Sequence, residues 1–178
     1  DHGMAVKPEC VSIEAELEKG GYHDIMGNIC YVSPGAGAGI YLKDTNPTTV
    51  RRTIQVIQGM PHIEEVWYKY DSVAPWFVKR AASERAPDIF IAPKADSVIV
   101  PAGYPAPSFP NGHGSPYPAD ANIIMVFSGA GVKKLGSLGE PLDLSSCKLI
   151  TDEEVENLPE QVDVAPTMKR IMGLPTSS

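Results

Sequence analysis

The 178-residue chain has little positive charge, few cysteines and no long apolar run. Fifteen Lys and Arg residues stand against 22 Asp and Glu residues, which leaves a formal net charge of −7. Proteins that bind nucleic acid usually carry a basic patch, so we expect no nucleic-acid groove. No apolar stretch approaches the roughly 20 residues that cross a bilayer. We therefore expect neither a membrane span nor a signal peptide in this segment.

The three cysteines lie far apart, at positions 10, 30 and 147, and no Cys-x-x-Cys pair is present. An odd number of cysteines argues against a fully paired disulfide framework. We expect Cys10, Cys30 and Cys147 to be free thiols. Free thiols favour an intracellular setting, although the sequence leaves the compartment unknown.

Two short motifs contain side chains of the kinds that bind metal ions. Residues 1–4 are Asp-His-Gly-Met, and residues 111–114 are Asn-Gly-His-Gly. Adjacent side chains point to opposite faces of a strand, so Asp1 and His2 reach one ion only where the backbone turns. Gly3 permits such a turn, because glycine adopts positive φ without a Cβ clash.

The second motif places a histidine between two glycines, so the backbone at His113 can come close to a metal ion or an anion. Carboxylate oxygens and imidazole nitrogens are ligands that Zn²⁺ accepts. The pattern therefore indicates metal ligands at Asp1, His2 and His113. For residues 1–3 the alternative is a polar turn without any ligand role.

Further segments follow these motifs in a characteristic order. A helical segment at 12–22 comes first, then a Gly-rich hairpin that ends at 40–44. An Ala-Pro-Asp-Ile-Phe-Ile-Ala-Pro segment precedes the second motif, and Asp-Val-Ala-Pro-Thr at 163–167 leads into Gly-Leu-Pro. This series resembles the C-terminal half of the alkaline phosphatase superfamily, specifically its type I phosphodiesterase/nucleotide pyrophosphatase branch. The resemblance covers nearly the whole chain. Its most specific pieces are Asp-His-Gly-Met, Gly-His-Gly and Asp-Val-Ala-Pro-Thr.

The resemblance implies an α/β fold. Residues 1–27 and 101–178 would form the C-terminal part of an alkaline-phosphatase-like core of sheet and helices, and residues 28–100 a small α+β cap insertion. In an α/β enzyme a ligand such as Asp1 follows a sheet strand. No strand precedes it in this sequence, so we expect the chain to be a fragment or one half of a larger protein.

The resemblance also implies a centre of two divalent metal ions, most commonly zinc. Asp1 and His2 would bind one ion and His113 the other. Such ions lie about 3.5–4 Å apart with ligand bonds of about 2 Å, so the imidazoles of His2 and His113 should come within roughly 10 Å. The family's Ser or Thr nucleophile precedes its Asp-His-Gly. Ser115 and Thr167 do not match that motif, so we assign no catalytic residue here.

The pattern of apolar residues predicts the order β-β-α-β-α-β-β within residues 28–100. We expect a self-contained sheet there, separate from residues 123–127, with residues 98–100 paired antiparallel to residues 88–92. The density of proline and glycine at 101–122 excludes helix and central strand. It fits either an ordered active-site loop, which the embedded Gly-His-Gly favours, or a disordered linker.

Residues 122–128 form a near-continuous apolar run, which predicts a fully buried strand. The Asp-Val-Ala-Pro segment predicts the start of a final helix, and we expect that helix to turn Met168, Ile171 and Met172 inward.

Three functions are compatible with this sequence. The first is the C-terminal half of a metal-dependent phosphodiesterase/nucleotide pyrophosphatase-like hydrolase of phosphate esters. Its substrate would be a phosphate ester or a nucleotide-like small molecule, its partner the N-terminal half of the same protein, and the fragment alone would be inactive. The second is half of a related phosphomutase or phosphonate hydrolase. The third is a folded module without catalytic activity.

Overall fold

A computed structural model describes residues 2–105, 111–137, 142–156, 158 and 163–175. Within these ranges the chain is of mixed α/β class with small sheets and helices, as the sequence predicts. Its strands are β1 (Ala5–Val6), β2 (Glu9–Val11), β3 (Ile29–Ser33), β4 (Ala38–Leu42), β5 (Ile63–Tyr68), β6 (Ile89–Pro93), β7 (Ser97–Ile99) and β8 (Asn111–Gly112). Its helices are α1 (Ile13–Lys19), α2 (His23–Asn28), α3 (Pro47–Gln58), α4 (Trp76–Ala81), α5 (Pro118–Ala121), α6 (Asp152–Glu156) and α7 (Val164–Ile171). The short helix α5 corrects our expectation of no helix at 101–122: Pro118 stands in its first turn, where proline is tolerated.

The largest sheet among the described residues is antiparallel, with the strand order β3-β4-β6-β5. The strands are rich in Ile, Val and aromatic residues, which suit a pleated and half-buried surface. All four strands lie within residues 28–100, and none of them pairs with residues 123–127. The sheet is therefore not paired with residues 123–127, but these residues form no described sheet of their own, so the self-contained subdomain stays a prediction.

Helix α3 covers β5 and begins at a strong local signal. The side chain of Asn46 accepts hydrogen bonds from the backbone N–H groups of Thr48 and Thr49, each at 3.0 Å, and Pro47 occupies the first turn. Both features are typical of a helix N-terminus. At 12 residues α3 is the longest described helix, and no described helix is both long and apolar enough to cross a bilayer.

One apolar core joins this sheet to the first helix of the chain. Ile13 and Leu17 of α1 are fully buried and belong to the same cluster as Ile40 of β4, Ile57 of α3 and Ile89 of β6. The division of the chain into a core and a cap stays a prediction.

Strand β7 has a different partner from the one we expected. Residues 98–100 should have paired antiparallel with residues 88–92, but β7 runs parallel to β2, with Cys10 opposite Val98. A strand has two edges, and both edges of β6 are already paired, with β4 on one side and β5 on the other. No edge is left for β7, so the chain turns away and pairs near its own beginning.

The apolar run at 122–128 is not a buried strand, which corrects our expectation. It has no strand assignment, and the side chains of Ile124 and Val126 are 93% and 78% exposed. A strand needs a neighbour for its backbone N–H and C=O groups. Within the described ranges, no strand pairs with this segment.

The final helix forms where the sequence predicts it, but its packing differs. Helix α7 spans Val164–Ile171 and buries none of its side chains. Met168, Ile171 and Met172, which we expected to point inward, are all exposed. Local sequence signals define a helix, whereas burial needs a surface to pack against.

Replacing Ile89 by alanine should lower the free energy of unfolding by about 2–5 kcal/mol, because it leaves a cavity in a fully buried position of the central strand β6. Urea unfolding followed by circular dichroism measures this change. The control is Val73→Ala, at a side chain that is 80% exposed, which should change stability by less than about 0.5 kcal/mol. Equal effects of the two substitutions would contradict the core described above.

Candidate functional site

A short antiparallel ladder brings the two sequence motifs together. Strands β1 and β8 pair with Ala5 opposite Gly112 and Val6 opposite Asn111. If this register continued beyond the two strands, the residue opposite His2 would be the one two positions after His113. That is the diagonal relation in which side chains project from the same face of an antiparallel pair.

The imidazoles of His2 and His113 are stacked face to face. Their ring centroids lie 3.6 Å apart and their planes differ by 13°. The two residues are more than a hundred positions apart in the sequence, and both are exposed on the surface. The expected approach of these histidines is confirmed, whereas their role as metal ligands stays a prediction.

A hydrogen bond to the backbone orients the ring of His2. Its Nδ1 lies 2.7 Å from the carbonyl oxygen of Gly3. A carbonyl only accepts hydrogen bonds, so this contact requires a proton on Nδ1. A neutral imidazole with that proton carries its lone pair on Nε2. Metal-binding histidines commonly donate their other ring N–H to a carbonyl or carboxylate in this way.

Gly3 lies directly against helix α5, and the position leaves no room for a side chain. Its backbone N–H donates to the carbonyl oxygen of Asp120 at 2.8 Å. A Cβ atom on Gly3 would lie 2.0 Å from the carbonyl oxygen of Ala119, far inside contact distance. The glycine of the first motif is therefore required for close approach to α5.

Lys7 and Asp120, which follow His2 and His113 in the sequence, form a buried ion pair that the sequence did not reveal. The Lys7 Nζ is 3.1 Å from Asp120 Oδ2, and both side chains are almost completely buried. The same Nζ donates to the carbonyl oxygen of Ala95 at 2.9 Å. Lysine is rarely buried unless it is paired. Its partner lies far away in the sequence, so no local pattern could have identified Lys7.

The segment after His113 is attached to the same carboxylate. The backbone N–H of Ser115 donates to Asp120 Oδ2 at 3.3 Å, and the Ser115 hydroxyl donates to the same oxygen. The hydroxyl of Ser115 is buried and donates to Asp120, so it is not available to attack a substrate as a nucleophile.

Tyr117 packs beside the ion pair, with its ring centroid 5.7 Å from Lys7 Nζ. Its hydroxyl donates to the carbonyl oxygen of Pro93 at 3.0 Å. Burial raises the pKa of the Tyr117 phenol well above its usual value, and nearby acidic groups, Glu64 foremost, raise it further. The phenol therefore stays protonated and keeps this donor.

The described residues contribute two imidazoles to the candidate site. Asp1 lies outside the described residues, and within them no group of three or more His, Cys, Asp and Glu side chains could bind a metal ion. His23 begins helix α2, and His62 lies in a turn with φ of 64°.

The cysteines add no further ligand to this pair. All three are free, as the sequence predicts, and they lie at positions 10, 30 and 147.

A cavity of about 590 Å³ opens beside His2. Apart from His2 and Asn122, its lining is glycine or apolar. It comprises Gly3, Ala119 of α5, residues 123–125, Leu144 and Val164. The exposed apolar run at 122–128 thus forms part of the surface next to the candidate site.

The chain is similar to solved structures. No protein-family model matches the chain, and no curated protein matches it. The human ectonucleotide pyrophosphatase/phosphodiesterase 5 structure matches 65% of this chain at 16% sequence identity, with a TM-score of 0.46. The match covers 28% of that protein, so the chain spans less than a third of its length. A similarity of this size carries no argument about function.

Replacing Gly3 by alanine should separate His2 from His113, because the new Cβ would collide with the backbone of Ala119. We expect the ring-current shifts of the stacked imidazoles to disappear from the NMR spectrum. The chain has four histidines, so their signals can be assigned individually.

The matched control is Gly27→Ala in helix α2, where a Cβ meets nothing within 4 Å. It should leave the histidine signals unchanged. Unaltered stacking in the Gly3→Ala protein would contradict the close packing against α5.

Proposed function

We propose that this chain supplies part of a two-metal centre to a metal-dependent hydrolase of phosphate esters, of the phosphodiesterase/nucleotide pyrophosphatase-like kind. Asp1 and His2 would bind one ion, and His113 the other. The observation that supports this most is the stacking of His2 on His113, whose ring centroids lie 3.6 Å apart. Two motifs that resemble metal-binding motifs in sequence thus meet in space.

The geometry of the stack favours two ions over one. The lone pair of an imidazole nitrogen lies in the plane of its ring. The two ring planes differ by only 13°, so the two lone pairs lie in nearly parallel planes. The lone pairs therefore do not point towards one shared position. One ligand for each of two neighbouring ions suits such an arrangement better than two ligands on one ion.

The donor types fit zinc, but their number falls short of a complete set. Imidazole nitrogens and the carboxylate of Asp1 are ligands that Zn²⁺ accepts, and a zinc site usually has four ligands. Two bound ions would polarise a phosphoryl group and lower the pKa of an attacking water or hydroxyl. The residues of this chain would bind and orient these ions. The remaining ligands and the nucleophile would come from another segment of the complete enzyme.

A folded module without catalytic activity is the second candidate function. It is favoured by the finding that the described residues contain no group of three potential ligands. A phosphomutase or phosphonate hydrolase would use the same kind of centre, so the histidine pair does not separate these enzymes from a phosphodiesterase.

The proposal predicts that the chain binds Zn²⁺ through its histidine pair. Calorimetric titration should show binding to the unaltered chain, and His2→Ala or His113→Ala should weaken it by at least about tenfold. His23→Ala, at an exposed histidine of α2, is the control and should leave the affinity unchanged. Equal affinities in all four proteins, or no binding at all, would favour the non-catalytic module.

A second prediction is that the chain alone does not hydrolyse phosphate esters, because we assign it three ligands and no nucleophile. Release of nitrophenol from bis(4-nitrophenyl) phosphate with added zinc should not exceed that of a His113→Ala variant. Zinc-dependent hydrolysis well above that variant would show that the chain contains a complete active site.

A further inference from the structure

We propose that Asp120, paired with Lys7, is a positioning residue that sets His2 against His113. The geometric claim stands on its own, and its importance for metal binding rests on the function proposed above. Asp120 lies in neither histidine motif. Its contacts, however, reach the residue next to His2 and the segment that follows His113.

The backbone of Asp120 positions the first motif. Its carbonyl oxygen accepts the N–H of Gly3 at 2.8 Å, so the residue next to His2 is attached to helix α5. The carbonyl of Gly3 in turn accepts from the imidazole of His2 at 2.7 Å. One chain of hydrogen bonds therefore runs from Asp120 to the ring of His2.

The side chain of Asp120 positions the second motif. Its Oδ2 accepts hydrogen bonds from the backbone N–H and the hydroxyl of Ser115, two residues after His113. Lys7 acts on the other side of His113. A Cβ on Gly112 would lie 3.0 Å from Lys7 Cδ, so the lysine stem lies directly against that glycine. His113 is thus flanked by contacts with both members of the ion pair.

The energetics of the pair argue for a geometric role. Removing two charges from water costs several kcal/mol per ion, so a buried ion pair is weak evidence for stability. In addition, Asp120 Oδ1 is buried and has no hydrogen-bond partner among the described residues, which adds to this cost. An apolar pair of similar volume would avoid both costs, but it would not bind Ser115.

A second buried pair in the molecule provides a matched control. Lys69 Nζ lies 3.0 Å from Asp88 Oδ1, and both side chains are largely buried. Asp88 accepts from the backbone N–H of Leu42 at 2.8 Å, within the four-stranded sheet. This pair resembles Lys7–Asp120 in burial and chemistry, but among the described residues none of its ion-pair or side-chain hydrogen-bond contacts involves either histidine motif.

The test measures nuclear Overhauser effects (NOEs) between the ring protons of His2 and His113 in histidine-labelled protein. The double substitution Lys7→Met/Asp120→Leu removes the pair without leaving one charge unpaired. We expect it to reduce the NOEs at least several-fold while the signals of the four-stranded sheet persist. The control Lys69→Met/Asp88→Leu should keep the NOEs at full intensity.

A rescue variant distinguishes a loss of histidine positioning from a general loss of folded structure. In Lys7→Met/Asp120→Asn the amide oxygen of the asparagine still accepts from Ser115, so the NOEs should recover.

A folded Lys7→Met/Asp120→Leu protein with full NOEs would overturn the proposal. Should that variant not fold, Ser115→Ala removes the hydroxyl contact alone. Its NOEs should weaken in a folded protein, and full intensity there would equally overturn the proposal.

Zinc titration of the same proteins connects the pair to the proposed function. We expect Lys7→Met/Asp120→Leu to bind Zn²⁺ about 10–100-fold more weakly than the unaltered chain, the range typical of groups that orient metal ligands. Unchanged affinity would count against the positioning role. If the unaltered chain binds no zinc while the NOEs behave as expected, the metal function fails and the positioning role stands.

Discussion

The arrangement of the candidate site depends on one interaction, the buried pair between Lys7 and Asp120. The ladder of β1 and β8 determines which residues face each other, but it is only two residues long on each strand. A ladder this short provides few hydrogen bonds, and so it cannot specify side-chain positions by itself. The ion pair supplies contacts beneath the ladder, and Asp120 extends them to Gly3 and Ser115. The positions of the two exposed histidines therefore depend on buried polar contacts.

The described residues differ widely in how well they are packed. Around the four-stranded sheet, side chains from α1, α3 and the central strands form one buried cluster. Residues 122–128 and helix α7 instead expose large apolar side chains. Burial of apolar surface is the main stabilising term in folding. We therefore attribute most of the stability of this chain to residues 11–99, and the candidate site lies outside that cluster.

The chemistry of the site is limited by the number of its donors. Two imidazoles, one of them with a tautomer set by the carbonyl of Gly3, match the donor types that zinc accepts. A polarised phosphate ester also needs an attacking group, and the hydroxyl of Ser115, two residues after His113, is buried and donates to Asp120. The two proposed functions, metal-dependent hydrolysis and a non-catalytic role, are thus both compatible with the same histidine pair. They differ in whether zinc binds there.

The sequence by itself determined the features that depend on near neighbours in the chain. These include the start of α3 at Asn46 and Pro47, the start of α7, and the alternation of strands and helices within residues 28–100, because such signals act within a few residues. The two histidine motifs were also visible, because their residue types are informative without a structure. Only the tertiary structure decided that β7 pairs with β2, that residues 122–128 pair with no described strand and that Lys7 is buried. Each of these depends on which distant segment occupies the adjacent space, and local sequence carries no record of that choice.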